Sequence, residues 1–255
     1  MKKKLIALLA VVVLCAVGTT VLFWPSEQPI EPDPIVEPTP TPDVSLDPDK
    51  KETVVIYDPY FELSHDELSE INDRYVGKIT VGNLIHEVIV HSRNNADYLN
   101  YNLKREPNGL GTVFMDYQNK RNMSDQNIIL YGHYVYYDDE LKFTPLYKMM
   151  SQEIFDENKY ITLDLIDETR YYEIVSIHYY KLGSEGVEYD YTSYTKSYFN
   201  NYMNHVQKNN RIKTEETISY EDKMLTLQTC VRDREDLRLI VIAKQIESIP
   251  EETAE

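Results

Sequence analysis

The chain has 255 residues, a net charge of −17 and 42% hydrophobic residues. That length allows one domain of ordinary size with accessory segments, and the apolar content is enough for a core. The acidity excludes a general nucleic-acid binder, which needs a basic surface against phosphate backbones. Two cysteines exclude both a disulfide-stapled scaffold and a four-cysteine zinc site.

In chain order, Lys2, Lys3 and Lys4 precede an uncharged run from Leu5 to Trp24. As a helix these 20 residues would cover about 30 Å, the thickness of a bilayer core. Residues 1–24 are therefore read as a membrane anchor with a cytoplasmic N-terminus, which places the rest outside a single-pass cell-membrane protein. The competing reading is a cleaved signal peptide, with Ala16 and Gly18 as a weak small-x-small site; the apolar run continues past it to Phe23. Leu14 before Cys15 argues against a lipoprotein. Residues 25–52 hold eight of the twelve prolines and carry a net charge of −6. Such a segment cannot bury a core and favours extended polyproline II, so it reads as a semi-rigid stalk. Residues 247–255 form an acidic tail, expected to be disordered. The anchor contributes +3 and the tail −4, which leaves −10 for residues 53–246.

Within 53–246, Ser64 to Tyr75 predicts a short helix, because Ser64 and Glu67 have the spacing of a capping box. Leu63, Leu68, Ile71 and Tyr75 would form its apolar side. Alternating or β-branched runs then predict strands over 76–81, 87–91, 112–115, 127–131, 160–165, 171–179, 224–229 and 237–244. Many short strands with accessory helices imply a mostly β fold, a barrel or sandwich. One longer helix is predicted over 193–209, where Tyr194, Tyr198, Tyr202 and Val206 recur every four residues with Phe199 and Met203 beside them. That stripe reads as core packing.

Cys230 is the one cysteine outside the apolar N-terminal run. An unpaired exported thiol is a nucleophile, a partner in intermolecular pairing or a buried small hydrophobe. A nucleophilic thiol needs a basic or cationic neighbour. Six histidines are available: His65, His86, His91, His133, His178 and His205. His133 has the most suggestive setting, since it follows the strand 127–131 and a single glycine, Gly132, that allows another group to approach closely. His91 and His178 fall in strands, His86 near a turn, and His65 and His205 on helices where solvation is expected. After Cys230 comes a charged stretch, read as a hairpin loop, and then the apolar strand that Arg238 heads. The hairpin brings Arg238 back toward Cys230, where its planar fork could stabilise an oxyanion. Pairing of Arg232 or Arg234 with Asp233, Glu235 or Asp236 is the ordinary alternative. Asp138, Asp139 and Glu140 lack a glycine-containing ligand loop and read as a solvated turn rather than a calcium site.

Three segments together resemble the signature of sortases: Leu130-Tyr131-Gly132-His133, Thr226-Leu227-Gln228-Thr229-Cys230, and Arg238 followed by Leu239-Ile240-Val241-Ile242-Ala243-Lys244. Gly111 to Tyr117, Asn94 to Leu99 and the long late helix resemble class B in particular. The likeness runs over residues 65–246 and implies a closed sortase-type β-barrel forming the catalytic domain 53–246. It also implies a catalytic set of Cys230 as nucleophile, His133 as general acid and base, and Arg238 as oxyanion stabiliser. Thr229 and Asn95 are carried over as substrate-binding residues. No metal or cofactor is implied. One departure is the interval of seven residues between Cys230 and Arg238, short for class B. The implied reaction cleaves a C-terminal sorting motif after threonine through a thioester and transfers the secreted protein to a peptidoglycan precursor amine. Polymerisation of pilins on a lysine acceptor, and a non-catalytic tethered binding module, are the alternatives.

Overall fold

A computed structural model describes residues 58–183 and 187–250. The anchor and stalk expectations fall on residues 1–57, outside the described residues, as does the end of the acidic tail. Among the described residues no helix is long and apolar enough to cross a membrane.

Helix α1 (His65–Ile71) opens the domain. Ser64 caps it as its spacing predicts: its Oγ accepts from the Glu67 N–H, and the Glu67 carboxylate accepts from the Ser64 N–H. Eight strands follow: β1 (Tyr75–Val81), β2 (Ile85–His91), β3 (Val113–Met115), β4 (Asn127–Tyr131), β5 (Tyr160–Leu165), β6 (Thr169–Lys181), β7 (Met224–Val231) and β8 (Arg234–Ile246). They close into a barrel in the order β1-β2-β3-β4-β7-β8-β6-β5. A 3-10 helix (Thr144–Met150) and α2 (Gln152–Asn158) lie between β4 and β5, and α3 (Lys196–Asn209) between β6 and β7. The 3-10 helix and α2 are absent from the sequence expectations. Each has seven residues, about two turns, too short for a clear apolar periodicity.

The period of two along each strand divides the core. Inward residues such as Ile79, Ile89, Leu130, Leu163, Leu225, Leu227, Leu239 and Val241 fill the barrel. Outward residues of β6, β7 and β8 (Val175, Met224, Ile240 and Ile242) meet the stripe of α3: Phe199, Tyr202, Met203 and Val206. The expectation of core packing for that stripe holds. On the other side Leu68 of α1 packs with Tyr75, Val88, Val90 and Phe114 over β1, β2 and β3. Leu68 is fully buried, so truncation to Ala would cost about 2–5 kcal/mol.

Two histidines depart from expectation. His65 is not a solvated helix residue: its Nδ1 lies 2.7 Å from Tyr75 Oη and its Nε2 lies 3.2 Å from Asp164 Oδ2, tying α1 to the barrel. His205 is half-buried, with its ring 6.1 Å from that of His178. The carboxylates of Asp139 and Glu140 both face Lys148.

Candidate active site

Strand order places the three signature segments at one end of the barrel. β4 and β7 run parallel, with Tyr131 opposite Gln228, so their C-terminal ends coincide. Gly132 continues the pairing by donating its N–H to the Gln228 carbonyl at 3.1 Å. His133 thus stands one residue past that bond on one strand, and Cys230 two residues past it on the next. β8 returns antiparallel from the same end, and Arg238 is the Cα partner of Cys230. Directly opposed residues on an antiparallel pair share a face, with Cβ atoms about 4.5–5.5 Å apart. Cys230 and Arg238 therefore project to the same side, the outer face that Gln228 and Ile240 also occupy. Cys230 is half-buried, and its thiol forms no disulfide among the described residues.

The turn between β7 and β8 is tighter than the sequence implies. Instead of a solvated loop from Val231 to Leu237, Arg232 and Asp233 make a two-residue turn with Asp233 at φ +56°. Val231 pairs with Arg234 and Cys230 with Arg238, so residues 235–237 form a bulge in β8. A bulge re-aims side chains at a sheet rim. Here it lets an interval that is short for class B still set Arg238 opposite the thiol. The Arg238 Nη1 donates to the carbonyls of Glu235 and Leu237, at 2.9 and 2.8 Å, which anchors the guanidinium on its own hairpin. Arg232 and Arg234 take the ordinary alternative, paired with Asp233 and Asp236 on the exposed turn.

His133 is oriented from a segment far away in sequence. Its Nε2 lies 2.5 Å from the carbonyl oxygen of Leu99. A carbonyl only accepts, so Nε2 carries the hydrogen and Nδ1 is left to take and give a proton. The Leu99 carbonyl is fixed in turn by the start of β3. The Thr112 N–H donates to the Tyr98 carbonyl at 3.0 Å, and the Thr112 Oγ1 donates to the Tyr101 carbonyl at 3.0 Å. Gly111 makes this docking possible: at φ +62°, a Cβ there would lie 2.5 Å from the Tyr98 oxygen. Behind His133 the close approach expected at Gly132 is made by Phe143, whose ring would sit 2.5 Å from an added Cβ. The Phe143 N–H donates to the His133 carbonyl at 3.1 Å.

Two tyrosines donate to the end of β7. Tyr147, in the 3-10 helix, donates its hydroxyl to the Cys230 carbonyl at 2.9 Å. Burial raises its phenol well above the ordinary range, so it stays a donor. Tyr189 donates to Gln228 Oε1 at 2.8 Å; burial raises its phenol too, against the pull of the nearby Arg238 charge. Neither residue stands out in a sequence with 22 tyrosines, and a backbone carbonyl such as that of Leu99 leaves no sequence signal.

The two residues carried over as substrate contacts lie on β7 and in the turn after β2. Thr229 lies on the opposite face of β7 from Cys230, among the barrel-filling residues. It is fully buried, and its Oγ1 has no partner among the described residues. The alternation of the strand thus turns its side chain away from the face that carries the thiol. Asn95, at φ +58°, has both ends of its amide engaged: Nδ2 donates to Asp116 Oδ2 at 2.6 Å and Oδ1 accepts from the Tyr117 N–H at 2.9 Å. It braces the 92–97 turn against the residues that follow β3. Among the described residues no group of three or more His, Cys, Asp or Glu side chains is placed to hold a metal ion.

No family model matches the chain. Curated sortase B from Staphylococcus aureus is 27% identical over 197 residues, covering 74% of this chain and 75% of that protein. Sortase B of Clostridium perfringens superposes with a TM-score of 0.64 at 28% identity, covering 72% of this chain and all of that one. A Bacillus anthracis crystal structure described as similar to sortase B gives a TM-score of 0.63 at 30% identity, over 72% of this chain and 83% of that one. A closed eight-stranded barrel with a cysteine, a histidine and an arginine on three adjoining strand ends is the architecture of a cysteine transpeptidase of the sortase type. Within that class, the chain belongs to the sortase B family.

Proposed function

We propose that the chain is a membrane-tethered transpeptidase that cleaves a sorting motif after threonine and passes the acyl group to a cell-wall amine. The observation that carries the reading is the pairing of Cys230 with Arg238 across β7 and β8, one strand away from His133. The Cys230 thiolate attacks the threonine carbonyl, forming a carbon–sulfur bond and a tetrahedral oxyanion. Arg238 and backbone N–H groups stabilise that negative charge. The carbon–nitrogen bond then breaks, and His133 Nδ1 gives its proton to the departing amine, leaving a thioester. An incoming amine attacks the thioester and loses a proton to neutral His133. The new amide forms and the thiolate is regenerated, with no net oxidation or reduction.

Class B membership supports an Asn- or Ser-Pro-x-Thr motif on secreted proteins and a peptidoglycan precursor as acceptor. The basic-then-apolar N-terminus and proline-rich segment support a single-pass location with the catalytic domain extracellular. A tether of that kind raises the effective concentration of enzyme near substrates that emerge from, or reside in, the same membrane.

The test is mass spectrometry of the full-length chain with an Asn/Ser-Pro-x-Thr pentapeptide library, using triglycine as the amine. A thioester on Cys230, absent in Cys230→Ala, is the expected result. Cleavage that persists in the alanine variant would remove Cys230 from the mechanism. Exclusive ligation to a lysine side chain of a protein acceptor, with no use of triglycine, would move the reading to pilin polymerisation.

A further inference from the structure

Lys142 carries a charge into the interior, and no step of the proposed reaction uses it. Its ammonium donates to Asp58 Oδ2 at 2.9 Å and to Glu87 Oε2 at 2.7 Å, and all three side chains are less than a tenth exposed. Buried ion pairs are poor sources of stability, since well-packed apolar replacements often do as well or better. The cluster therefore calls for a purpose other than stability. Burial works against the ammonium, yet Glu87 and Asp58 together hold it above the ordinary lysine range. Burial likewise pushes the Glu87 carboxyl up to about 8, against the pull of Lys142.

The location of the cluster supplies the purpose. Asp58 lies at the start of the described domain, where its N–H donates to the His86 carbonyl at 3.0 Å. Glu87 is on β2. Lys142 sits in the segment that leads from the turn after His133 back into the barrel, at φ +55°, a conformation that side-chain-bearing residues rarely adopt. The next residue, Phe143, donates its N–H to the His133 carbonyl and lays its buried ring against Gly132. Thr144 then accepts the Val135 N–H on its Oγ1 at 2.7 Å. The two residues after Lys142 thus grip the backbone on both sides of His133.

We infer that Lys142 is the positioning residue for His133: its buried pairing with Asp58 and Glu87 pins the segment through which Phe143 and Thr144 set the imidazole beside Cys230. The inference rests on the transpeptidase reading and deepens it. Three variants of the full-length chain test it, using triglycine and the pentapeptide that wild type turns over fastest. Lys142→Met should lower kcat by about 100-fold, the scale of an ångström of misplacement, with KM within about threefold, and should move the His133 ring nitrogen resonances. The neutral triple variant D58N/E87Q/K142M should regain the wild-type melting temperature but not kcat. Lys159→Met, which breaks a pair between the end of α2 and Glu173 of β6, should leave kcat and the His133 resonances unchanged. Recovery of kcat together with stability in the triple variant would overturn the inference, because Lys142 would then serve the fold alone. So would unmoved His133 resonances in Lys142→Met. If wild type shows no Cys230-dependent turnover, the transpeptidase reading fails, while the resonances still report whether Lys142 sets His133.

Discussion

Substituting Gly132 by Ala probes the support of His133 directly. The glycine is outside the positive-φ residues of the chain, so alanine meets no backbone penalty there and the perturbation is steric alone. The new methyl would lie 2.5, 2.7 and 2.9 Å from Cγ, Cδ2 and Cδ1 of Phe143. Carbon atoms prefer about 3.5–4.0 Å, so ring and backbone must separate by roughly 1 Å. Phe143 is fully buried and has little room to yield. Overpacking of this kind costs about 1–3 kcal/mol, and a domain of this size loses about 2–4 °C of melting temperature per kcal/mol. The expected fall is therefore about 2–12 °C. The displacement falls on the residue before His133 and on the one that holds its carbonyl, so kcat/KM should drop by about 100-fold. Differential scanning calorimetry and a quenched-peptide assay measure the two effects. Phe143→Leu in the same chain should restore part of both by opening space for the methyl. An Ala variant within about twofold of wild type in kcat/KM, whatever its melting temperature, would refute the idea that this contact holds the imidazole.

Arg238→Ala should lower kcat/KM by about 100-fold or more, the cost of losing one oxyanion donor, whereas Arg234→Ala, which removes only an exposed pair with Asp236, should stay within about twofold; equal effects would break the assignment. Tyr147→Phe removes the hydroxyl that holds the Cys230 carbonyl, a bond of about 0.5–1.5 kcal/mol, and should lower kcat/KM by about 2–12-fold. His178 is fully buried, and burial with a smaller push from His205 lowers its pKa from 6.5 to about 3. Its folded pKa lies below the unfolded one, so the unfolded chain takes up the proton first. Stability is then complete above about 6.5 and is lost as the pH falls toward 3. Urea midpoints at pH 7 and pH 4 should converge in His178→Leu relative to wild type; an identical acid loss in both would show that another group dominates.

Strands with clear alternation were readable from the sequence to within two or three residues, since each buries one face inside a closed barrel and period two follows. The α1 cap was readable because Ser64 and Glu67 act locally. Cys230, His133 and Arg238 were readable as candidates, but their adjacency depends on β4 and β7 being parallel neighbours, which no local pattern states. The extent of β8 was missed because Arg234, Glu235 and Asp236 have a loop composition; Arg234 pairs with Val231 and residues 235–237 join the strand as a bulge, with the Asp236 carbonyl accepting from the Leu182 N–H at 2.8 Å. The face that Thr229 takes was not legible for a related reason: the motif gives residue order, whereas the face depends on register. Lys142 carried no signal either, since its partners lie 55 and 84 positions away.

Register is in fact what the chemistry rests on. A slip of one residue in β7 would turn Cys230 into the barrel and Thr229 out to the face that Arg238 occupies. Two features oppose the slip. Leu225 and Leu227 fill the interior while Met224 packs under α3, so a shift would turn Thr226 and Gln228 into the barrel in their place. At the start of the parallel pair, Thr226 Oγ1 donates to Asn127 Oδ1 at 2.9 Å, and Asn127 Nδ2 donates to the Tyr191 carbonyl at 3.0 Å, with both side chains fully buried. A buried polar pair of this kind is satisfied in one alignment and orphaned in the next, at about 1–3 kcal/mol for each unpaired group. The specificity of that penalty, set at the far end of β4 and β7, keeps the thiol on the same face as the guanidinium and beside the imidazole.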